Sequence, residues 1–266
     1  MNLELSGIKV LLIGDFMVDH YIMGKSERMS PEAPVPIVIP KEEYSIPGGA
    51  GNVAMNMCTL AGQRTLLDMI DLSIKPFIFC IGTVGHDAMG TTLLNKLNLG
   101  VMERKNRMTI FHQDSIDTSN IMRGDIDNSL NPVVVSDNYR GSIQTTTKER
   151  IYLDGKQIHR LDRESILNQN YNEELNDLVT NNIAGKDIIV LSDYNKGVLN
   201  ENTIPHILSE AKKNNIPVII DPKKEDFAIY AGADIITPNL NELRRASELH
   251  IDNDKSIVEA CKELIE

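Results

Sequence analysis

At 266 residues and 41% hydrophobic composition, the chain is long enough to bury an ordinary core, which excludes a wholly disordered protein. A formal net charge of −11 excludes a broad basic surface for nucleic acid. Its three cysteines (Cys58, Cys80 and Cys261) form no C-x-x-C pair and its six histidines form no ligand-spaced cluster. These features exclude a disulfide framework and a tightly held transition metal, and predict buried thiols in a reducing, cytoplasmic compartment.

Residues 8–14 form an apolar run ending in glycine, the pattern of a strand buried on both faces of a parallel sheet. The run is too short to span a membrane and lacks the basic start of a secretory signal, so no membrane partner is expected. Short β-like pieces follow over residues 17–47, including 35–39, punctuated by Pro31, Pro34, Pro36 and Pro40. That proline density belongs to edge strands and loops, and predicts a small β flap beside the main sheet.

Gly48-Gly49-Ala50-Gly51-Asn52 reads as a loop where backbone approaches a ligand or a packed neighbour, because glycine has no Cβ to clash. It lacks the Gly-Lys-Ser/Thr of a Walker loop, and no strand is predicted to run directly into it as a dinucleotide fingerprint requires. A helix is predicted over 53–60, a strand over 77–83 and a helix over 87–97, followed by a polar, irregular excursion over about 105–144. Strands over 145–152 and 157–163 are joined through Asp154-Gly155, which favours a tight hairpin.

Regular alternation then sets in. Helices over 172–183 and 201–214 and from 240 onward interleave with strands over 187–191, 217–220 and 234–237, which predicts a parallel sheet with ligands at the strands' carboxyl ends. Four of those ends carry polar residues: Gly14-Asp15 with Asp19 nearby, Ser192-Asp193-Tyr194, Asp221-Pro222-Lys223, and Thr237-Pro238-Asn239. A single such aspartate is more often a helix cap or turn residue. The convergence of four points to one crevice.

The order of motifs resembles the ribokinase-like (PfkB) carbohydrate kinases. Val10-Leu11-Leu12-Ile13-Gly14-Asp15 with Asp19, then Pro47-Gly48-Gly49-Ala50-Gly51-Asn52, is similar to that family's first strand and sugar-binding segment. Ser30-Pro31-Glu32-Ala33-Pro34, Thr147-Lys148-Glu149-Arg150, Leu161-Asp162, Ser192-Asp193-Tyr194-Asn195-Lys196-Gly197, Ile220-Asp221-Pro222-Lys223 and Thr237-Pro238-Asn239-Leu240-Asn241-Glu242 are similar to its heptose-7-phosphate kinase branch.

The resemblance implies a three-layer α/β/α fold with a mostly parallel central sheet and a small β-sheet lid. It implies one kinase domain over 1–266, incomplete at its C-terminus, with lid strands within about 16–47 and 145–163. Asp19, Gly48, Gly49, Asn52 and Asp193 would meet the sugar, and Lys148, Arg150, Arg160 and Lys196 would meet its phosphate, cationic groups being suited to a dianion. Asn239, Leu240, Asn241 and Glu242 would meet ATP as co-substrate, with Glu242 holding Mg²⁺ through water. Asn239 and Glu242 also have the spacing of a capping box.

In that family a Gly-Ala-Gly-Asp segment supplies an anion hole and the catalytic base, and no Gly-x-Gly-Asp occurs in these residues. No catalytic base is therefore assigned. The resemblance thus leaves three expectations open: an ATP-dependent kinase acting on a heptose 7-phosphate, a sugar-phosphate-binding relic or regulator, and one half of a split kinase. The expected partners are a sugar phosphate and ATP, with either a homodimer through the lid or a chain supplying the remaining part.

Overall fold

The structure, a computed structural model, describes residues 8–62, 77–85, 87–104, 108–109, 133–136, 143–167 and 171–265. Its centre is a parallel sheet in which β1 (Lys9–Gly14) lies between β4 (Phe77–Val84) and β9 (Ile188–Ser192). Beyond β9 come β10 (Val218–Asp221) and β11 (Ile235–Ile236). On the other side β4 also pairs with β5 (Met108–Thr109) and β6 (Val133–Ser136), both parallel to it. These two strands fall inside the stretch expected to be irregular; the rest of that stretch lies outside the described residues.

Alternation along β1 divides the core. Leu11 and Ile13 face a layer built by α3 (Asn172–Ile183) and α4 (Thr203–Asn214), through Leu175, Val179, Ile204 and Ile207. Val10 and Leu12 face the opposite layer, built by α1 (Ala50–Gly62) and α2 (Ala88–Arg104), through Ala50, Ala54, Leu93 and Leu97. Leu11, Leu12 and Ile13 are fully buried, each worth about 2 kcal/mol of burial. A continuous apolar run is what a doubly covered strand needs.

Among the described residues the second cover does not extend across the whole sheet. On the face shared with Leu12, Val190 and Ile219 are only half-buried and Ile235 is 51% exposed. The opposite face of the same strands, with Leu191 and Ile220, is buried. The chain closes with α5 (Leu240–Ala246) and α6 (Asp254–Glu263), which share a small core of Leu243, Ile251 and Ala260.

A separate four-stranded sheet leaves the main one at the end of β1. Its order is β3 (Ile39–Gly49), β2 (Phe16–Lys25), β7 (Thr147–Leu153), β8 (Lys156–Arg163). β2 and β3 are antiparallel, β2 and β7 parallel, and β7 and β8 antiparallel. Asp154 (φ 48°) and Gly155 (φ 80°) are both left-handed, as a two-residue hairpin turn of the right twist requires.

Four local expectations change. Gly48 and Gly49 are the last residues of β3, so a strand does run into the glycine segment, although it is an antiparallel lid strand rather than the parallel strand of a dinucleotide fold. α1 begins at Ala50 rather than 53, since the Ala50 N–H is already satisfied by the Asp15 carbonyl at 3.0 Å. Residues 35–38 form no strand; Pro36 makes only an isolated bridge to Met29. Elsewhere α2 runs on to Arg104, beyond the expected end at 97. Cys80 is fully buried, Cys261 is partly buried, and the side chain of Cys58 lies outside the description. Among the described residues no helix is long and apolar enough to cross a membrane.

Candidate functional site

The carboxyl ends of β1, β9 and β10 meet the inner face of the lid, and Asp15 sets the junction. Its buried carboxylate accepts backbone N–H groups from Tyr194 (2.8 Å), Lys196 (3.0 Å) and Val198 (3.3 Å). Three donors on alternate residues wrap the loop after β9 around the end of β1. Left-handed backbone at Asn195 and Gly197 makes that curvature accessible. Burial outweighs these donors and raises the Asp15 carboxyl to about 6 from an ordinary 3.8, with the nearby Asp193 adding to the rise.

Asp19 and Lys148 pair across β2 and β7, and Tyr21 pairs with Arg150 two residues on, so all four share one lid face. Arg150 Nη1 donates to Asp19 Oδ1 at 2.6 Å and its guanidinium lies over the Tyr21 ring. Tyr21 stacks on Tyr44 with ring centroids 4.9 Å apart, giving the face an apolar floor. Gly48 sits against Asp19: a Cβ there would lie 2.5 Å from Asp19 Oδ2. Gly49, at φ 55°, would press a Cβ into the Asp15 carbonyl oxygen.

Lys148 points its ammonium over the Tyr194 ring, 5.2 Å from its centroid, and makes no ion pair among the described residues. Burial pulls its pKa below the ordinary lysine value, with Asp19 opposing the shift. The other candidate cations are held. Arg160 forms a fork with Asp162 at 2.7 and 2.6 Å, and Lys196 reaches Glu164 at 2.7 Å. Tyr194 stands between lid and sheet: burial raises its phenol, and Asp221, Asp19 and Glu242 add to the rise.

On the far side of Tyr194, Asn239 Oδ1 accepts the N–H groups of Asn241 and Glu242, both at 3.0 Å, while Glu242 Oε2 accepts the Asn239 N–H at 2.9 Å. This is a complete capping box on α5. Glu242 is 7% exposed, and its second oxygen meets Lys223 Nζ at 3.1 Å. Burial, then Glu242, raises the Asp221 carboxyl.

The structure thus places Asp19, Gly48, Gly49, Lys148, Arg150, Tyr194 and Lys196 near one another at the lid, and Asp221, Lys223, Asn239 and Glu242 beyond Tyr194. Leu240 and Asn241 open α5, with Leu240 exposed. Asn52 is exposed on the first turn of α1. Asp193 is different: it is buried, and its carboxylate is taken by the Tyr230 hydroxyl at 2.7 Å and the Asn195 N–H at 2.7 Å. In the sequence Asp15 is marked only by its place at a strand end, and Tyr230 is not marked at all. Nothing in an apolar Phe-Ala-Ile-Tyr stretch signals a buried hydroxyl with polar partners.

No protein-family model matches the chain. Bifunctional protein HldE of Helicobacter acinonychis (strain Sheeba) is 36% identical over 260 residues, covering 97% of this chain and 47% of that protein. Bifunctional protein HldE of Aliarcobacter butzleri is 32% identical over 259 residues, covering 97% of this chain and 45% of that protein. The chain therefore spans about half the length of the curated relatives it matches. Among solved structures, Escherichia coli phosphofructokinase-2 in complex with fructose-6-phosphate superposes with a TM-score of 0.63 at 17% identity, covering 97% of this chain and 70% of that one. Arabidopsis thaliana ribokinase complexed with ribose and ATP gives a TM-score of 0.56 at 16% identity, covering 97% and 68%.

A parallel sheet carrying a lid that overhangs its carboxyl ends is the ribokinase-like fold. Over nearly its whole length the chain is similar to the bifunctional HldE proteins, and its fold is the one seen in ribokinase-like kinases.

Proposed function

We propose that the crevice binds a heptose 7-phosphate under the lid and ATP beside α5, as part of an ATP-dependent kinase that phosphorylates the sugar's anomeric hydroxyl. The observation that supports this most is the lid face itself. The Asp19 carboxylate and the Arg150 guanidinium offer an acceptor and donors for hydroxyl groups, and Lys148 adds a half-buried cation that makes no direct ion pair among the described residues. Lys196, and Arg160 at the lid's edge, are further ligands for the sugar's phosphate. Asn52, on the first turn of α1, completes the sugar side.

On the nucleotide side, Lys223 is the phosphate ligand and Glu242 the carboxylate that orients a hydrated Mg²⁺. Mg²⁺ takes oxygen ligands and keeps several of its own waters, so a single carboxylate can orient it. The ion would neutralise charge on the transferring phosphoryl group.

The half-covered sheet favours one further element of this reading, a protein surface seated over Val190, Ile219 and Ile235. Parallel sheets are ordinarily covered on both faces, and this chain covers only 68 to 70% of the solved kinases it superposes on.

Titration calorimetry with heptose 7-phosphate tests the reading. Saturable binding that weakens in Asp19→Asn and Lys148→Met is expected. Wild-type chain that takes up no sugar phosphate even at millimolar concentration overturns it.

A further inference from the structure

Tyr230 closes a short 3₁₀ turn, Phe227–Tyr230, and is fully buried, its ring edge-on to Phe227 with centroids 5.7 Å apart. Its hydroxyl accepts the backbone N–H groups of Lys223 (3.1 Å) and Lys224 (3.0 Å) and donates to Asp193 Oδ2 (2.7 Å). Two donors and one acceptor fill the capacity of a phenol oxygen.

The partners belong to different loops. Asp193 opens the loop after β9, and Lys223 and Lys224 follow β10. A second link lies outside the first: the Lys224 ammonium bonds Asn195 Oδ1 and stands 3.8 Å from Asp193 Oδ2. Each loop also reaches the crevice. The first presents Tyr194 beneath Lys148, and the second places Lys223 on Glu242.

We propose that Tyr230 is a positioning residue that couples the sugar-phosphate side of the crevice to its nucleotide side, an inference that rests on the function proposed above. A polyphosphate that draws Lys223 off Glu242 moves the backbone at 223 and 224. Those amides share one buried oxygen with Asp193, so the loop holding Tyr194 and Lys196 must shift with them. The Tyr230 hydroxyl and the Asp193 carboxylate at its centre are buried, and a buried polar pair of this kind has few alternative arrangements.

Calorimetric affinities for heptose 7-phosphate, with and without a non-hydrolysable ATP analogue and Mg²⁺, test the coupling in wild type, Tyr230→Phe and Lys224→Met. Tyr230→Phe keeps the ring and its packing but removes the hydroxyl. Wild-type affinity is expected to change roughly fivefold or more when the nucleotide analogue is present. In Tyr230→Phe that ratio should collapse toward one while circular dichroism reports a folded chain, an outcome that lost stability alone does not produce. Lys224→Met spares the hydroxyl and should reduce the ratio in part; it decides the matter if Tyr230→Phe does not fold. An undiminished ratio in the folded variant, or wild-type affinity indifferent to nucleotide, overturns the coupling and leaves the sugar-phosphate reading standing. Wild type that binds no sugar phosphate sinks both.

Discussion

The Asp19 carboxylate occupies the space that a side chain on Gly48 would need, with Oδ2 only 2.5 Å from the position of a Cβ there. Glycine in the neighbouring strand is therefore what lets Asp19 reach Arg150. In Gly48→Ala the added methyl meets the movable end of a side chain, so the fold should survive while Asp19 swings off Arg150. Sugar-phosphate affinity is expected to fall roughly tenfold, the effect of losing about one charged hydrogen bond, with little change in Tm. Calorimetry beside thermal melts separates the two.

Gly49→Ala should behave in the opposite sense. Left-handed backbone and collision with the Asp15 carbonyl leave no side chain free to yield. A stability loss of about 1–3 kcal/mol is expected, visible as a lower denaturation midpoint.

Asp15 has a pH signature with a definite sign. Its folded carboxyl, at about 6, lies above the ordinary 3.8, so its contribution to stability is fully present below about pH 4 and is lost as pH rises through 6. The difference amounts to about 3 kcal/mol at most. The wild-type unfolding free energy minus that of Asp15→Asn should therefore decline between about pH 4 and 6 and stay level above it. A difference curve that is flat across the whole range would show that burial of this carboxylate is not what the structure implies.

Asn239→Ala removes both side-chain bonds to the first turn of α5. About 1 kcal/mol of stability should be lost, whereas Asn239→Asp, which keeps an acceptor, should lose little. Urea denaturation of the pair distinguishes a cap from a ligand role, and nucleotide titration of Asn239→Asp completes the separation.

Lys148→Met keeps an unbranched side chain of similar length and removes the charge that lies over Tyr194. Sugar-phosphate affinity should drop about tenfold or more, and its dependence on ionic strength should flatten because a screened charge pair is gone. Binding that retains the wild-type salt dependence would remove Lys148 from the phosphate site.

Much of the frame was legible in the amino-acid order because it depends on local pattern. A continuous apolar run ending in glycine marks β1, Asp154-Gly155 marks the β7–β8 hairpin, and Asn239 with Glu242 three residues later marks the start of α5. Each signal is complete within a few residues. The four polar strand ends likewise follow from alternating strands and helices, since parallel strands with right-handed crossovers carry their carboxyl ends to one rim.

Partnership across distance was decided only by tertiary structure. Asp15 binds amides 179 to 183 positions away, and Tyr230 reaches Asp193 across 37. No short window of sequence distinguishes such an aspartate from a turn residue or such a tyrosine from core filling. Asp193 shows the same limit from the other side, because its motif suggests a ligand while the fold spends both of its oxygens on internal bonds. Side-chain type and spacing determine which elements form. Which polar groups remain available to a ligand depends on what packing and burial have already claimed.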